Sequence, residues 1–166
     1  MRQIPLDLNP AEPASFDNYV PGSNEEALAL LRRLAAGPGG NGAPPWRSAS
    51  VWLWGEPGSG KTHLAGALAS AVGERAILLR PGDDLERFTV ARERGDAPQQ
   101  SAASAHPATA RAATVVIVDD CDRLNAARQE ATFHLYNRVR ADPGASFVAT
   151  GGQPPLALAL RDDLRT

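Results

Sequence analysis

Residues 55–62 read Gly55-Glu56-Pro57-Gly58-Ser59-Gly60-Lys61-Thr62, a complete G-x-x-x-x-G-K-[ST] phosphate-binding loop. An apolar run, Val51-Trp52-Leu53-Trp54, leads into it. A helical pattern, His63-Leu64-Ala65-Gly66-Ala67-Leu68-Ala69, leads out. Strand, glycine loop and helix are the context this motif requires. Gly55, Pro57, Gly58, Ser59 and Gly60 form the turn that wraps backbone N–H groups around a polyphosphate. The helix that follows adds its positive N-terminal dipole. Lys61 is expected to reach the β- and γ-phosphates, and the Thr62 hydroxyl to bind Mg²⁺. The alternative is a glycine turn with no ligand, which leaves Lys61-Thr62 and the flanking pattern to coincidence.

A second stretch agrees with the first. Val115-Val116-Ile117-Val118 ends in two carboxylates, Asp119 and Asp120. A continuous β-branched run suits a central parallel strand covered on both faces. Its C-terminal end lies where open α/β sheets bind ligands. Asp119 is the expected Mg²⁺-side carboxylate, acting directly or through water. Asp120 is the candidate for orienting or polarising an attacking water. A strand ending in an ordinary turn is the plain alternative; the phosphate loop upstream weighs against it.

The surrounding sequence alternates strand and helix signals. Helical patterns run over 23–36, 61–72, 83–94 and 125–141; strand patterns run over 51–54, 76–79, 114–118 and 146–150. Ser23 or Asn24 can cap the first helix, whose apolar stripe is Leu28, Leu30, Leu31 and Leu34. In the helix over 125–141, Ala131, Phe133, Leu135, Tyr136 and Val139 fall on or beside one face. A further helical piece begins near Leu156. Alternation of this kind predicts an α/β fold, a doubly wound parallel sheet with helices on both faces. The glycine loop and the aspartates then share one sheet edge. Residues 37–48 read as a loop, and residues 95–113, rich in Ala, Ser, Gln and Pro, as a flexible surface insertion. His106 lies in that insertion without partners at metal-ligand spacing and receives no role.

Bulk properties exclude several classes. The 166 residues make about one domain. A net charge of −2 argues against a broad nucleic-acid-binding face. The single cysteine, Cys121, excludes an internal disulfide and reads as a small packing residue. No apolar stretch approaches the ~18 residues of a membrane span, and Met1–Pro5 lacks a signal-peptide core. A cytoplasmic location is the expectation.

The motifs in their order resemble the AAA+ ATPases, and within them the DnaA branch of replication initiators and its shorter, Hda-type regulatory members. Phe16 to Asn24 resembles the N-terminal box lining the adenine site, which implies Tyr19 and Val20 as nucleotide contacts. His63-Leu64 continues the phosphate loop in the family manner, and the paired Asp119-Asp120 matches this branch. Phe133-His134-Leu135-Tyr136-Asn137 resembles the helix after that strand. Thr150-Gly151-Gly152-Gln153-Pro154-Pro155 resembles the sensor strand end, with Thr150 at the nucleotide. Gly152 stands where the family usually has a sensor aspartate, which implies little intrinsic hydrolysis. Leu160 to Thr166 resembles the start of the arginine-finger segment. Gln3-Ile4-Pro5-Leu6-Asp7-Leu8 resembles the Hda-type sliding-clamp peptide, with Gln3, Ile4, Leu6 and Leu8 as its contacts.

The resemblance therefore implies an extended clamp-binding segment over 1–15 and a nucleotide-binding core over 16–166, without a lid domain. Its cofactors would be ADP or ATP with Mg²⁺. Its partners would be the polymerase sliding clamp and DnaA, with self-association through the AAA+ interface, weak or absent DNA binding and no membrane. The function implied is a regulator that promotes hydrolysis of DnaA-bound ATP. Two other readings stand beside it. One is an autonomous DnaA-like or helicase-loader ATPase acting on DNA; the other is a binding module with a vestigial nucleotide site.

Overall fold

The computed structural model describes residues 12–37, 49–93, 114–154 and 157. The clamp-like peptide, the expected insertion over 95–113 and the finger-like segment fall outside them. In chain order the elements are α1 (Glu25–Ala36), β1 (Ser50–Trp54), α2 (Lys61–Val72), β2 (Ala76–Leu79), α3 (Leu85–Glu93), β3 (Thr114–Val118), α4 (Ala126–Ala141) and β4 (Ala145–Gly151). Short 3-10 turns follow α2 and β3, at Gly73–Arg75 and Cys121–Arg123.

The four strands form one parallel sheet in the order β1-β4-β3-β2. The doubly wound α/β expectation holds. β3 lies inside the sheet, and its alternate residues feed two separate cores. Val115 and Ile117 join Val148 beneath α1 and α2, against Leu31, Leu34, Leu64 and Leu68. Val116 and Val118 join Phe147 and Ala149 beneath α3 and α4, against Phe88, Leu135 and Val139. A strand covered on both faces cannot alternate with polar residues, which is why it reads as an unbroken β-branched run.

Several local expectations are corrected. Asn24 occupies the N-cap of α1, but its side chain makes no capping bond there. Its backbone does the work instead: the N–H donates to Pro21 O at 2.7 Å, and its carbonyl accepts from Leu28 N at 3.1 Å. Asn125 is a true side-chain cap, its Oδ1 accepting from Arg128 N at 3.0 Å. In α4 the fully packed positions are Thr132, Leu135 and Val139, while Phe133 lies half-buried one position round the helix. β4 starts at Ala145 and runs through Gly151, since Trp54 pairs with Gly151 and extends the ladder. No helix of the described residues is long and apolar enough to cross a membrane.

Register positions the chemistry. Val118 pairs with Ala149, and Leu53 with Thr150. One residue further along, Asp119 therefore stands beside Thr150, and the loop after Trp54 opens at the same edge.

Two apolar residues of α3, Leu85 and Phe88, part company in the fold. Phe88 is 0% exposed and Leu85 is 42% exposed. Phe88→Ala should cost about 3–5 kcal/mol in urea denaturation, and Leu85→Ala under about 1 kcal/mol. Equal losses would show that α3 packs by a different face.

Candidate nucleotide-binding site

The phosphate loop joins β1 to α2, and its last glycine is the N-cap of the helix. Gly60 takes φ +86°, in the left-handed region, and offers no side-chain cap to α2. The first-turn N–H groups of Lys61, Thr62 and His63 have no carbonyl four residues earlier within the helix. No acidic side chain occupies that turn. This is a donor set suited to an anion. Lys61 Nζ donates to Gly55 O at 2.8 Å, Glu56 O at 2.9 Å and Ser59 Oγ at 3.2 Å, which holds the ammonium over the loop.

Behind the loop, three elements meet at one carboxylate. Asp119 is 3% exposed. Its Oδ1 accepts from Thr150 Oγ1 at 2.7 Å and from Thr62 Oγ1 at 3.3 Å. Thr150 is fully buried, and its hydroxyl also accepts from Asp120 N at 2.8 Å. Thr150 thus reaches the site through Asp119 and Asp120. Hydroxyl and carboxylate oxygens are the hard donors that Mg²⁺ prefers. Among the described residues no group of three or more His, Cys, Asp or Glu could hold a metal alone. Mg²⁺ asks less, since it keeps waters and shares phosphate oxygens with one or two protein ligands.

A cleft of about 420 Å³ opens in front of these groups. Loop residues Gly55, Pro57, Gly58 and Gly60, with Lys61 to His63, form one wall. Asp120, Asp122, Arg123 and Gly152 form the other. Its size lies within the range of small-molecule sites. Asp120 has φ +48°, rare for a residue with a side chain, directly after the buried Asp119. Strained backbone of this kind gathers at functional sites.

The N-terminal box meets the loop from behind. The Tyr19 ring packs so close to Gly60 that a Cβ there would lie 2.6 Å from Tyr19 Cε2. The Tyr19 hydroxyl donates to Ser59 O at 3.4 Å, and its ring lies 5.8 Å from that of His63. His63 Nε2 lies 2.9 Å from Ser15 O, which can only accept. Val20, expected beside Tyr19 at the nucleotide, is 88% exposed and does not line the cleft.

Sequence reasoning missed three residues. Asp122 Oδ2 accepts from Gly152 N at 3.0 Å, and a Cβ on Gly152 would come within 3.1 Å of it. Trp52 Nε1 donates to Gln153 O at 3.0 Å, and its ring fills the space beside Gly151, where a Cβ would lie 2.6 Å away. Arg123 lines the cleft and pairs with Asp120. The missed contacts span 30 residues between Asp122 and Gly152 and 101 between Trp52 and Gln153, beyond any local pattern.

Cys121 is buried, and its thiol is pushed up from 9.0 to about 12, first by burial and then by the Asp122 and Asp119 charges. That fits the packing role and not an activated thiol. Above pH 9 the unfolded chain loses this proton while the folded chain keeps it, so stability should fall as pH rises from about 9 to 12. Urea denaturation at pH 8 and pH 10 should show Cys121→Ala losing that share of the alkaline decline. An unchanged decline in the variant would contradict the assignment.

Comparison with known proteins agrees with this geometry. The family model of the bacterial DnaA ATPase domain matches residues 11–166. The replication initiator DnaA of Corynebacterium jeikeium is 30% identical over 159 residues, covering 92% of this chain and 25% of that protein. An uncharacterised protein of Haemophilus influenzae is 23% identical over 164 residues, covering 96% of this chain and 62% of that one. The chain spans at most 62% of the length of these relatives. Domain III of Thermotoga maritima DnaA superposes with a TM-score of 0.60 at 19% identity, covering 92% of this chain and 62% of that one. AMPPCP-bound DnaA of Aquifex aeolicus gives 0.61 at 18% identity, covering 92% and 46%. These structures share the fold, and with a family match over nearly the whole length the chain belongs to the bacterial DnaA ATPase domain family.

Proposed function

We propose that this chain is the nucleotide-binding core of an Hda-like regulator of replication initiation. It binds ADP or ATP with Mg²⁺, docks on the polymerase sliding clamp through residues 3–8, and promotes hydrolysis of ATP held by DnaA. The observation that carries the nucleotide part is the bonding of Thr62, Asp119 and Thr150 directly behind a complete phosphate loop. Backbone N–H groups and Lys61 would hold the phosphates. Thr62 and Asp119 would hold the metal, and Mg²⁺ would neutralise phosphate charge when bound. Asp120 would orient or polarise the attacking water. Tyr19 supports the loop from behind, and His63 lines the cleft beside it.

Family membership supports a place in replication initiation and an interface toward DnaA or a second copy of this chain. The −2 net charge favours a protein partner over DNA. Cytoplasmic residence follows from that partnership. The clamp part rests on Gln3-Ile4-Pro5-Leu6-Asp7-Leu8. In an extended peptide, alternate residues point the same way, so Leu6 and Leu8 share a side with Ile4. Pro5 lowers the ordering cost of binding. Each leucine is worth roughly 1.5–3 kcal/mol if fully buried on the clamp.

The test is surface plasmon resonance on immobilised clamp. Gln3→Ala and Leu6→Ala should each weaken clamp binding while nucleotide affinity stays unchanged. If deletion of residues 1–8 left clamp binding intact, the docking segment would lie elsewhere and the Hda-like reading would lose its support.

A further inference from the structure

The cleft carries a second cation, and its position has a consequence for nucleotide choice. Lys61 belongs to the loop wall, where three acceptors hold its ammonium. Arg123 stands on the opposite wall, at the end of the 3-10 turn that follows β3. The two carboxylates beside it are held differently. Asp122 is engaged by the Gly152 N–H at 3.0 Å. Asp120 pairs with Arg123 Nη1 through Oδ2 at 3.3 Å.

That pair is a weak hold. The Arg123 side chain is 74% exposed, and an exposed i,i+3 ion pair of this length contributes little. Asp120 is fixed independently, because its N–H donates to Thr150 Oγ1 at 2.8 Å and its backbone is locked at φ +48°. Arg123 can leave without disturbing the strand end. A guanidinium on phosphate gains charge-assisted, bidentate bonds that its present contact does not supply. The α- and β-phosphates lie against a loop of this type, so the terminal phosphate of a triphosphate is the one free to meet the facing wall.

We propose that Arg123 reads the terminal phosphate of a nucleoside triphosphate. It exchanges Asp120 for that phosphate, favours triphosphate over diphosphate, and releases the Asp120 carboxylate toward the cleft. The inference rests on the nucleotide-site reading above and adds to it a residue that sets nucleotide preference.

Calorimetry on the 166-residue chain tests it, with Mg²⁺ and either ADP or a non-hydrolysable ATP analogue. Arg123→Gln should weaken the triphosphate analogue by about tenfold to a hundredfold and ADP by less than about twofold. Arg123→Lys should restore part of the difference. Equal loss for both ligands, or no loss, overturns the proposal. Lys61→Ala separates the two levels: if it leaves both affinities untouched, or the unaltered chain binds neither ligand, the nucleotide-site reading fails and this inference with it. If Lys61→Ala weakens both and Arg123→Gln leaves their ratio unchanged, only the role of Arg123 is refuted.

Discussion

The carboxylate of Asp119 is the point on which the site depends. It is buried, and a buried carboxylate without partners is costly. Two hydroxyls answer it, Thr150 at 2.7 Å and Thr62 at 3.3 Å. The three residues lie at the end of β3, near the end of β4 and at the start of α2. They meet only if β3 and β4 pair in the register that sets Val118 opposite Ala149. A one-residue slip would send alternate side chains of β3 to the wrong core and separate Asp119 from Thr150. Sheet register and site assembly are therefore one constraint.

The same economy shows in two glycines. At Gly60 and Gly151 an added Cβ would come within 2.6 Å of Tyr19 and Trp52 respectively. Each glycine lets an aromatic ring press on the backbone that frames the cleft. Tyr19 fixes the loop where it enters α2, and Trp52 fixes the end of β4 by packing and by its bond to Gln153 O. Position 152 is different: Gly152 leaves room for Asp122, whose carboxylate takes its N–H. A family sensor side chain at 152 would compete with Asp122 for that space.

Much of this was legible in the sequence. The loop motif, the β-branched run into Asp119 and the helical stripes of α1 and α2 each follow a local period, and the fold and the Thr62–Asp119 pairing follow from them. What escaped depends on distant contacts. Phe133 lies beside the packed face and is half-buried, but the inward place of Thr132 with Leu135 and Val139 was not legible, because the face is chosen by the sheet and not by hydrophobicity alone. Val20, next to Tyr19, is exposed, and no local period in the sequence sets that exposure. Arg123 and Asp122 carry no local signal in the sequence, and only the fold places them across from the phosphate loop.

The most direct measurement is the Mg²⁺ dependence of ADP affinity in Thr150→Val, a variant of nearly the same shape that removes the hydroxyl from Asp119. Calorimetry with and without Mg²⁺ separates the metal's contribution from that of the loop. If the Thr150 bond positions Asp119 for the metal, the Mg²⁺-dependent gain should shrink by about tenfold while Mg²⁺-free affinity is retained. A Mg²⁺-dependent gain equal to that of the unaltered chain would contradict the account.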